Sequence, residues 1–519
     1  MRITNSMTTN RLLMNVNRNS TTLDRLFMQL SSGKVIQSPS ENPIVASRAL
    51  RFRTNVSEVQ QFQRNVTQAI SWMEVSEQHL HNATNILTTQ RSELMVQAAS
   101  STYTFQNRQT ITRVIELMFD QMNTEMNGTF AGRYIFSGFR TDQPPVMTRN
   151  NLTTAVPPNT VDYSITMNLH RRDIRDAGAL YWRDQTSTPP GELHKIASQE
   201  WLNRPDRDTT GWDDNVINVY MPDMVQDVDG NGDPLYDGNG DPVMVPVPGT
   251  GGTNINIMRL PYNRTDTRTH STPVLTRADG TTIPVIERSI NGGVNPFVPE
   301  PGSVIWIPET GELVIHSADL PDFEGPGVSV DFDINGVYQN ELNPRIFFET
   351  MDNVSGIMFS QADQEIQFEL GTNVHLTINT QARNAYPWQL FADMHSLLSW
   401  VNGVELSESP PASEEQLAQE RAFFGEMLHT KFTDIMARMD IHMQTNTTEF
   451  TALGARMERM EMIDIRLDEN EDTFRMLRDQ NENIDYIEVI MRLNAAEAVM
   501  QAAMQVGARI SQLSLVNFI

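Results

Sequence analysis

Heptad-spaced apolar residues run through both ends of this 519-residue chain and stop in its middle. Stepping alternately four and three residues from Val45 gives Val45, Ala49, Phe52, Val56, Val59, Gln63, Val66, Ile70, Met73, Glu77, Leu80, Thr84, Leu87, Arg91, Leu94 and Ala98, of which twelve of sixteen are apolar. The C-terminal part answers with Leu428, Phe432, Ile435, Met439, His442, Asn446, Phe450, Leu453, Met457, Met460, Asp464 and Leu467, nine of twelve apolar. After a polar stretch the step resumes as Tyr486, Val489, Leu493, Ala496, Met500, Ala503, Gly507 and Ile510. A stripe of this period is the seam of a coiled coil or of a long bundle helix. The first stripe alone implies a rod of roughly 80 Å, far beyond the usual globular helix.

Local signals mark where the helices begin and end. Asn42 is placed to cap free amides, and Pro43 suits a first helical turn, where no amide hydrogen is needed. A shorter helix is expected after Thr104, carrying Ile111, Ile115, Met118 and Met122 and stopping at Gly128. Charge favours contact between the two ends. Residues 1–70 hold nine basic side chains against three acidic ones, and residues 461–488 hold ten acidic against three basic. Opposite signs on helices that share a seam favour one register, though each exposed pair contributes only about 0–1 kcal/mol.

Composition removes several function classes. A net charge of −26 argues against nucleic acid, whose phosphates demand a basic surface. With no cysteine there is neither disulfide nor thiolate metal site. No apolar run reaches the length of a membrane-spanning helix, and Met1–Ser20 lacks the apolar core of a secretory signal. Neither a nucleophile elbow, a phosphate loop nor a zinc-helix motif occurs, so no catalytic residue and no cofactor site is expected. His442 lies on the C-terminal seam, where a hydrogen-bonded core histidine is the expected reading.

The middle, residues 141–385, is rich in Pro, Gly, Asp and Asn with short apolar runs, which reads as β-structure with many turns. Two hairpins are expected: Ser303–Ile307 with Glu312–His316, and Val328–Ile334 with Val337 and Tyr338 across Asn335-Gly336. Tyr134–Phe136 is expected to pair with a strand near Asn373–Asn379. The stretch 172–214 shows no clear period. One repeat, Asp229-Gly-Asn-Gly-Asp-Pro and again from Asp237, places Asp227, Asp229, Asn231 and Asp233 like the first half of a calcium loop. Gly238 stands where such a loop needs a bidentate Glu, and turn chemistry alone also accounts for the repeat.

Leu30-Ser31-Ser32-Gly33-Lys34, followed by Ser38-Pro39-Ser40-Glu41-Asn42-Pro43 and Arg48-Ala49-Leu50-Arg51, resembles the N-terminal signature of the flagellin superfamily and specifically its hook-associated branch. Gly132-Arg133-Tyr134-Ile135-Phe136-Ser137-Gly138 resembles the strand that follows the paired helices there, and residues 502–519 are similar to the family's C-terminal core helix. The resemblance implies a structural subunit of the bacterial flagellum, not an enzyme. Such a subunit would leave unfolded through the flagellar type III route with an export chaperone and no cleavable signal. It would then self-assemble into a helical ring or tube outside the cell, joining a preceding hook-associated protein to the flagellin filament. Flagellin itself shares the plan, and the prolines of the Ser38–Pro43 run favour the hook-associated branch. A rod carrying a calcium- or glycan-binding middle module is the other open reading.

The expected fold is therefore α+β and multidomain: long N- and C-terminal helices pairing as a coiled-coil bundle, with a β-rich inserted middle domain. The expected divisions are 1–44 and 481–519 as core helices, 45–140 and 366–480 as the two halves of a rod, and 141–365 as the outer domain. The expected assembly interface is Val45, Phe52, Val59, Val66, Ile70, Leu80, Leu87, Leu94, Val489, Leu493, Ala496, Met500, Ala503, Gly507 and Ile510. Roughly the first 40 and last 35 residues are expected to order only on assembly, because Ala-rich ends bury too little apolar area alone.

Overall fold

A computed structural model describes residues 5–100, 103–148, 162–183, 193–197, 224–226, 244–246, 255–264, 269–360, 362–402 and 414–516. Its contacts divide the chain into a terminal unit, Met1–Ile70 with Phe368–Leu376 and Met457–Ile519, and a central unit, Ser71–Gln367 with Thr377–Arg456. Six helices matter here: α1, Asn5–Ser32; α2, Pro43–Thr89; α3, Phe105–Met126; α4, Trp388–Asn402; α5, Glu414–Glu482; and α6, Tyr486–Val516.

The helix signals act as their chemistry requires. Asn42 Oδ1 accepts from the amides of Ile44 and Val45, and Pro43 opens α2. Thr104 Oγ1 accepts from the Asn107 amide at the start of α3. Helix α1 ends at Gly33, whose φ of +69° is the left-handed cap that glycine tolerates. A Cβ there would also lie 2.8 Å from the Tyr486 hydroxyl, so the α1 stop and the start of α6 are fitted together.

Within the central unit, the C-terminal seam lies where its period puts it: Leu428, Phe432, Ile435, Met439, His442, Asn446 and Leu453 are all buried. The N-terminal seam holds at Ala49, Val56 and Val59 and is displaced by one residue in part of each heptad from Val66 onward. Val66, Met73, Leu80 and Leu87 are buried as expected, but three residues after each it is Ala69, Ser76, Ala83 and Gln90 that are buried, not Ile70, Glu77, Thr84 and Arg91 one residue further on. Ala69, Ser76 and Ala83 are small enough to let a neighbouring element approach closely, while Glu77, Thr84 and Arg91 stay half-buried. At Gln90–Met95 the helix widens into a π turn before resuming at Val96–Ala98. Such a turn inserts an extra residue into the helical period, and buried Gln90 donates to the Ile115 carbonyl of α3.

One seam layer is polar. Asn446, fully buried, accepts from Thr84 Oγ1 at 2.7 Å and donates to the Ala385 carbonyl at 3.2 Å. Such a layer can be satisfied in only one axial register. We expect Asn446→Ala to lower the stability of the central unit by about 1–3 kcal/mol, the penalty for stranding buried polar partners. A denaturant midpoint unchanged from the parent would contradict this.

The β-rich part of the central unit holds two larger sheets. One is six-stranded, in the order β11 (Thr282–Ile283), β10 (Val274–Thr276), β15 (Val328–Asn335), β3 (Asp162–Leu169), β16 (Glu349–Asp352) and β17 (Ile357–Phe359). The other is five-stranded, in the order β12 (Val285–Glu287), β13 (Val304–Ile307), β14 (Glu312–His316), β9 (Ile255–Arg259) and β4 (Arg175–Asp176). Ile257, Ile305, Ile307 and Val314 of the second sheet form one core with Phe297 and with Trp400 of α4. In the open stretch 172–214, β5 (Ala179–Arg183) pairs with β6 (Leu193–Ala197).

The hairpin of Ser303–Ile307 with Glu312–His316 forms, as β13 against β14 with Trp306 opposite Leu313. Two other pairings are corrected. Strand β15 does not fold back on Val337 and Tyr338: its edges are taken by β3, along its whole length, and by β10. Asn335-Gly336 remains a bend, with Gly336 at φ +78°, but no ladder is left for the residues beyond it. Nor does Tyr134–Phe136 join residues 373–379. Arg133–Tyr134 pairs with Thr129–Phe130 through Ala131 and Gly132, at φ +49° and +78°, a two-residue turn that closes a local pair first. Val374–Thr377 pairs instead with Gln367–Gly371, turning at Asn373 with φ +61°.

Candidate assembly surface and buried polar centre

In the terminal unit, α1 lies along α6. Leu26, Val489 and Leu493 form a buried cluster, flanked by Leu23, Leu30, Ile484 and Ala496. Further along, a Cβ on Gly507 would come within 2.9 Å of Leu12, so the missing side chain is what lets the two helices approach. Leu12, Leu23, Leu26 and Leu30 repeat at heptad spacing, a stripe legible in the sequence that the reading from Val45 onward passes over.

The segment linking α1 to α2 is fastened to the end of α5. The Val35 amide donates to the Glu482 carbonyl and Ile484 donates to Gly33. Lys34 Nζ and the Arg53 guanidinium both reach the Glu482 carboxylate, Arg53 with two bonds of 2.7 Å. Two Gln side chains of α2 complete the pairing: Gln60 donates to Glu471, and Gln63 donates to Asp468 and Glu471. The opposite charges of the two ends thus meet mainly at one carboxylate, while Arg11, Arg18, Arg25, Arg48 and Arg51 remain exposed.

Hydrogen bonds from Arg53 and then Lys34 outweigh burial and hold the Glu482 carboxyl below its ordinary value of 4.5. A depressed acid contributes stability above its unfolded value and loses it as pH falls through the folded one. The tie between the α1–α2 segment and α5 should therefore loosen below about pH 4.5, which exchange of the Val35 and Ile484 amides at graded pH reads directly. Faster exchange on raising the pH instead would contradict it.

The fifteen residues of the expected interface divide by location. Val66, Leu80 and Leu87 are fully buried inside the chain and Val59 nearly so, whereas Val45, Phe52, Ile70 and Leu94 are half-buried. Val489 and Leu493 are buried against α1, and Ala496, Met500, Ala503 and Gly507 are half-buried. Ile510 lies in α6, and its side chain is outside the described residues, as are Asp227, Asp229, Asn231 and Asp233. The outward surface carries apolar residues of its own. Met7, Leu13, Met14, Phe27 and Met28 on α1 are exposed, as are Ile487, Ile490, Met491, Val499, Met504 and Val506 on α6. Exposed apolar stretches of this extent mark interaction surfaces. In dilute monomer we expect fast amide exchange over Val489–Ile510, because so small a buried cluster cannot hold two helices firmly; slow exchange there would contradict it.

The central unit holds a buried charged network. Asp393 of α4 accepts from His442 Nε2 at 2.9 Å and from Arg438 Nε at 2.6 Å, both on α5, and Arg175 of β4 lies 4.0 Å away. Glu312 of β14, fully buried, accepts from Trp400 Nε1 at 3.1 Å, and Lys431 of α5 donates to the Ala177 carbonyl. Burial would raise the Asp393 carboxyl, but the His442 hydrogen bond and the charges of Arg438 and Arg175 hold it below its ordinary value. Burial pushes the Lys431 ammonium down to about 8. The cavity beside Asp393, lined by Asp173, Arg175 and Arg438 among others, measures ≈ 10 Å³, room for about one water. Among the described residues no three His, Asp or Glu side chains converge as a metal site requires, and no helix is long and apolar enough to cross a membrane.

Residues 3–141 match the model of the bacterial flagellin N-terminal helical region. The chain is 27% identical over 146 residues to flagellar hook-associated protein 3 of Salmonella typhimurium, covering 28% of this chain and 46% of that one. It is 30% identical over 118 residues to flagellar hook-associated protein 3 of Escherichia coli, covering 22% and 37%. The aligned part thus spans less than half the length of either relative. Among solved structures, the flagellar junction protein FlgL of Legionella pneumophila superposes with a TM-score of 0.28 at 14% identity, covering 84% of this chain and 100% of that one.

Proposed function

We propose, from the match of residues 3–141 to the bacterial flagellin N-terminal helical region, that this chain is a structural subunit of the flagellum joining a preceding hook-associated protein to the flagellin filament. The observation that carries the reading is the α1–α6 pair, which buries one apolar stripe within the chain and leaves a second exposed on both helices. A lone monomer gains nothing from that second stripe. A subunit surrounded on its inner side by copies and by related proteins buries it, and contacts that do not close pairwise build rings or tubes. On this reading the polar centre around Asp393 is structural, the protein is not an enzyme, and it needs no cofactor. It works outside the cell, after unfolded export by the flagellar type III route with a chaperone.

The test is a strain lacking this chain. Cells should keep their hooks, shed flagellin into the medium and fail to swim, and supplying the chain should restore filaments. Normal filaments without it would overturn the proposal.

A further inference from the structure

With 29 methionines and no cysteine, the sulfur chemistry of this chain belongs to thioethers alone. Their placement is uneven. Met73, Met122, Met126, Met394 and Met427 are fully buried in the central unit, whereas Met7, Met14 and Met28 of α1 and Met491 and Met504 of α6 are 50–61% exposed. On α1 the three keep a seven-residue spacing, with exposed Thr21 in the place between Met14 and Met28. Met14 and Met28 stand two residues after Leu12 and Leu26, which pack toward α6, and Met491 stands two residues before buried Leu493. Two residues turn a helix by roughly 200°. These sulfurs are therefore carried on the side away from the α1–α6 contact.

Leucine would make an outward face just as apolar, so the choice of methionine needs a reason of its own. A thioether differs from an isobutyl group in two ways: it is flexible enough to fit unlike neighbours, and it can be oxidised reversibly. Both properties are spent here on the surface and not in the core.

We propose that these five methionines form an oxidant-sensitive modification site, at which a two-electron oxidant of the peroxide class turns an apolar face polar and leaves the fold intact. The thioether sulfur gives a lone pair to one peroxide oxygen and the O–O bond breaks; the sulfur is oxidised to a sulfoxide and the peroxide is reduced to water. A sulfoxide oxygen holds hydrogen bonds to water, and an apolar neighbour can cover it only at a desolvation cost. Packing shields the buried methionines, and neighbouring subunits would shield α1 and α6 in the same way, so the site is open before assembly and closed after it. That consequence for assembly rests on the flagellar reading; the reactivity of the sulfurs does not.

Full-length protein treated with hydrogen peroxide is mapped by mass spectrometry and run on a hydrophobic-interaction column. Met7, Met14, Met28, Met491 and Met504 should gain oxygen about tenfold or more faster than Met73, Met122 and Met394, with the far-ultraviolet spectrum unchanged and column retention lowered. Methionine sulfoxide reductase should restore the retention. A variant carrying Met7→Leu, Met14→Leu, Met28→Leu, Met491→Leu and Met504→Leu together should lose about half as much retention or less under the same treatment. Oxidation no faster at the five than at the buried three, or equal loss of retention in parent and variant, would overturn the inference. In cells regrowing sheared flagella under sublethal peroxide, the variant should recover swimming sooner than the parent, and equal recovery would overturn the link to assembly. Failure of the flagellar reading itself shows separately, as normal filaments in a strain lacking the chain.

Discussion

Replacing Asp393 with Ala is expected to destabilise the central unit by about 3–5 kcal/mol, the usual cost of removing one partner from a buried ion pair. The loss leaves Arg438 and Arg175 without their nearest buried carboxylate and takes away the acceptor of His442 Nε2. All seven tryptophans fall within the sequence range of the central unit, so tryptophan fluorescence during a urea titration follows that unit alone. The far-ultraviolet signal of the terminal helices should change little. A fluorescence midpoint equal to the parent's would show that the network contributes nothing to stability. The same network makes the unit acid-sensitive. Asp393 loses its contribution as pH falls below the ordinary value of 3.8, whereas Lys431, depressed to about 8, costs less as pH rises from there toward 10.5.

The second large effect separates the two apolar faces of α6. Met500, half-buried, lies on the row that includes buried Leu493 and half-buried Ala496, and Met491 points outward, 60% exposed. A buried apolar side chain contributes about 1.5–3 kcal/mol, and a charge in its place costs more unless it finds a partner. Met500→Asp should therefore loosen the α1–α6 pair even in the monomer and prevent assembly. Met491→Asp should leave the monomer unchanged yet still prevent assembly. Both variants should keep a folded central unit, export normally and yield cells that shed flagellin and do not swim. Filaments of normal length on Met491→Asp cells would mean that the exposed face of α6 is not an assembly surface.

How much of this was legible in the sequence depended on the distance over which each residue acts. The seam from Leu428 to Leu467 could be read because a long helix repeats the same local constraint many times. The N-terminal seam went astray by one residue because Ser76 and Gln90 are polar and yet buried, while neighbouring Glu77 and Arg91 fit a four-then-three step equally well. A period of 3.6 does not divide a heptad, and a π turn at Gln90–Met95 shifts the phase again. The pairing of β15 with β3 joins residues more than a hundred positions apart, and nothing in either strand names its partner. The polar centre was hidden for another reason. Asp393, Arg438 and Lys431 look like a solvated helix face until β4 and β14 close over them, and only His442 announced itself by sitting on a seam.

Assembly through the paired terminal helices would confine this chain to one level of the flagellum. Gold-labelled antibody raised against the central unit, applied to isolated flagella, tests it most directly. A narrow band between hook and filament is expected. Label along the whole filament would identify a filament subunit, and absence of label from flagella would rule out a flagellar role.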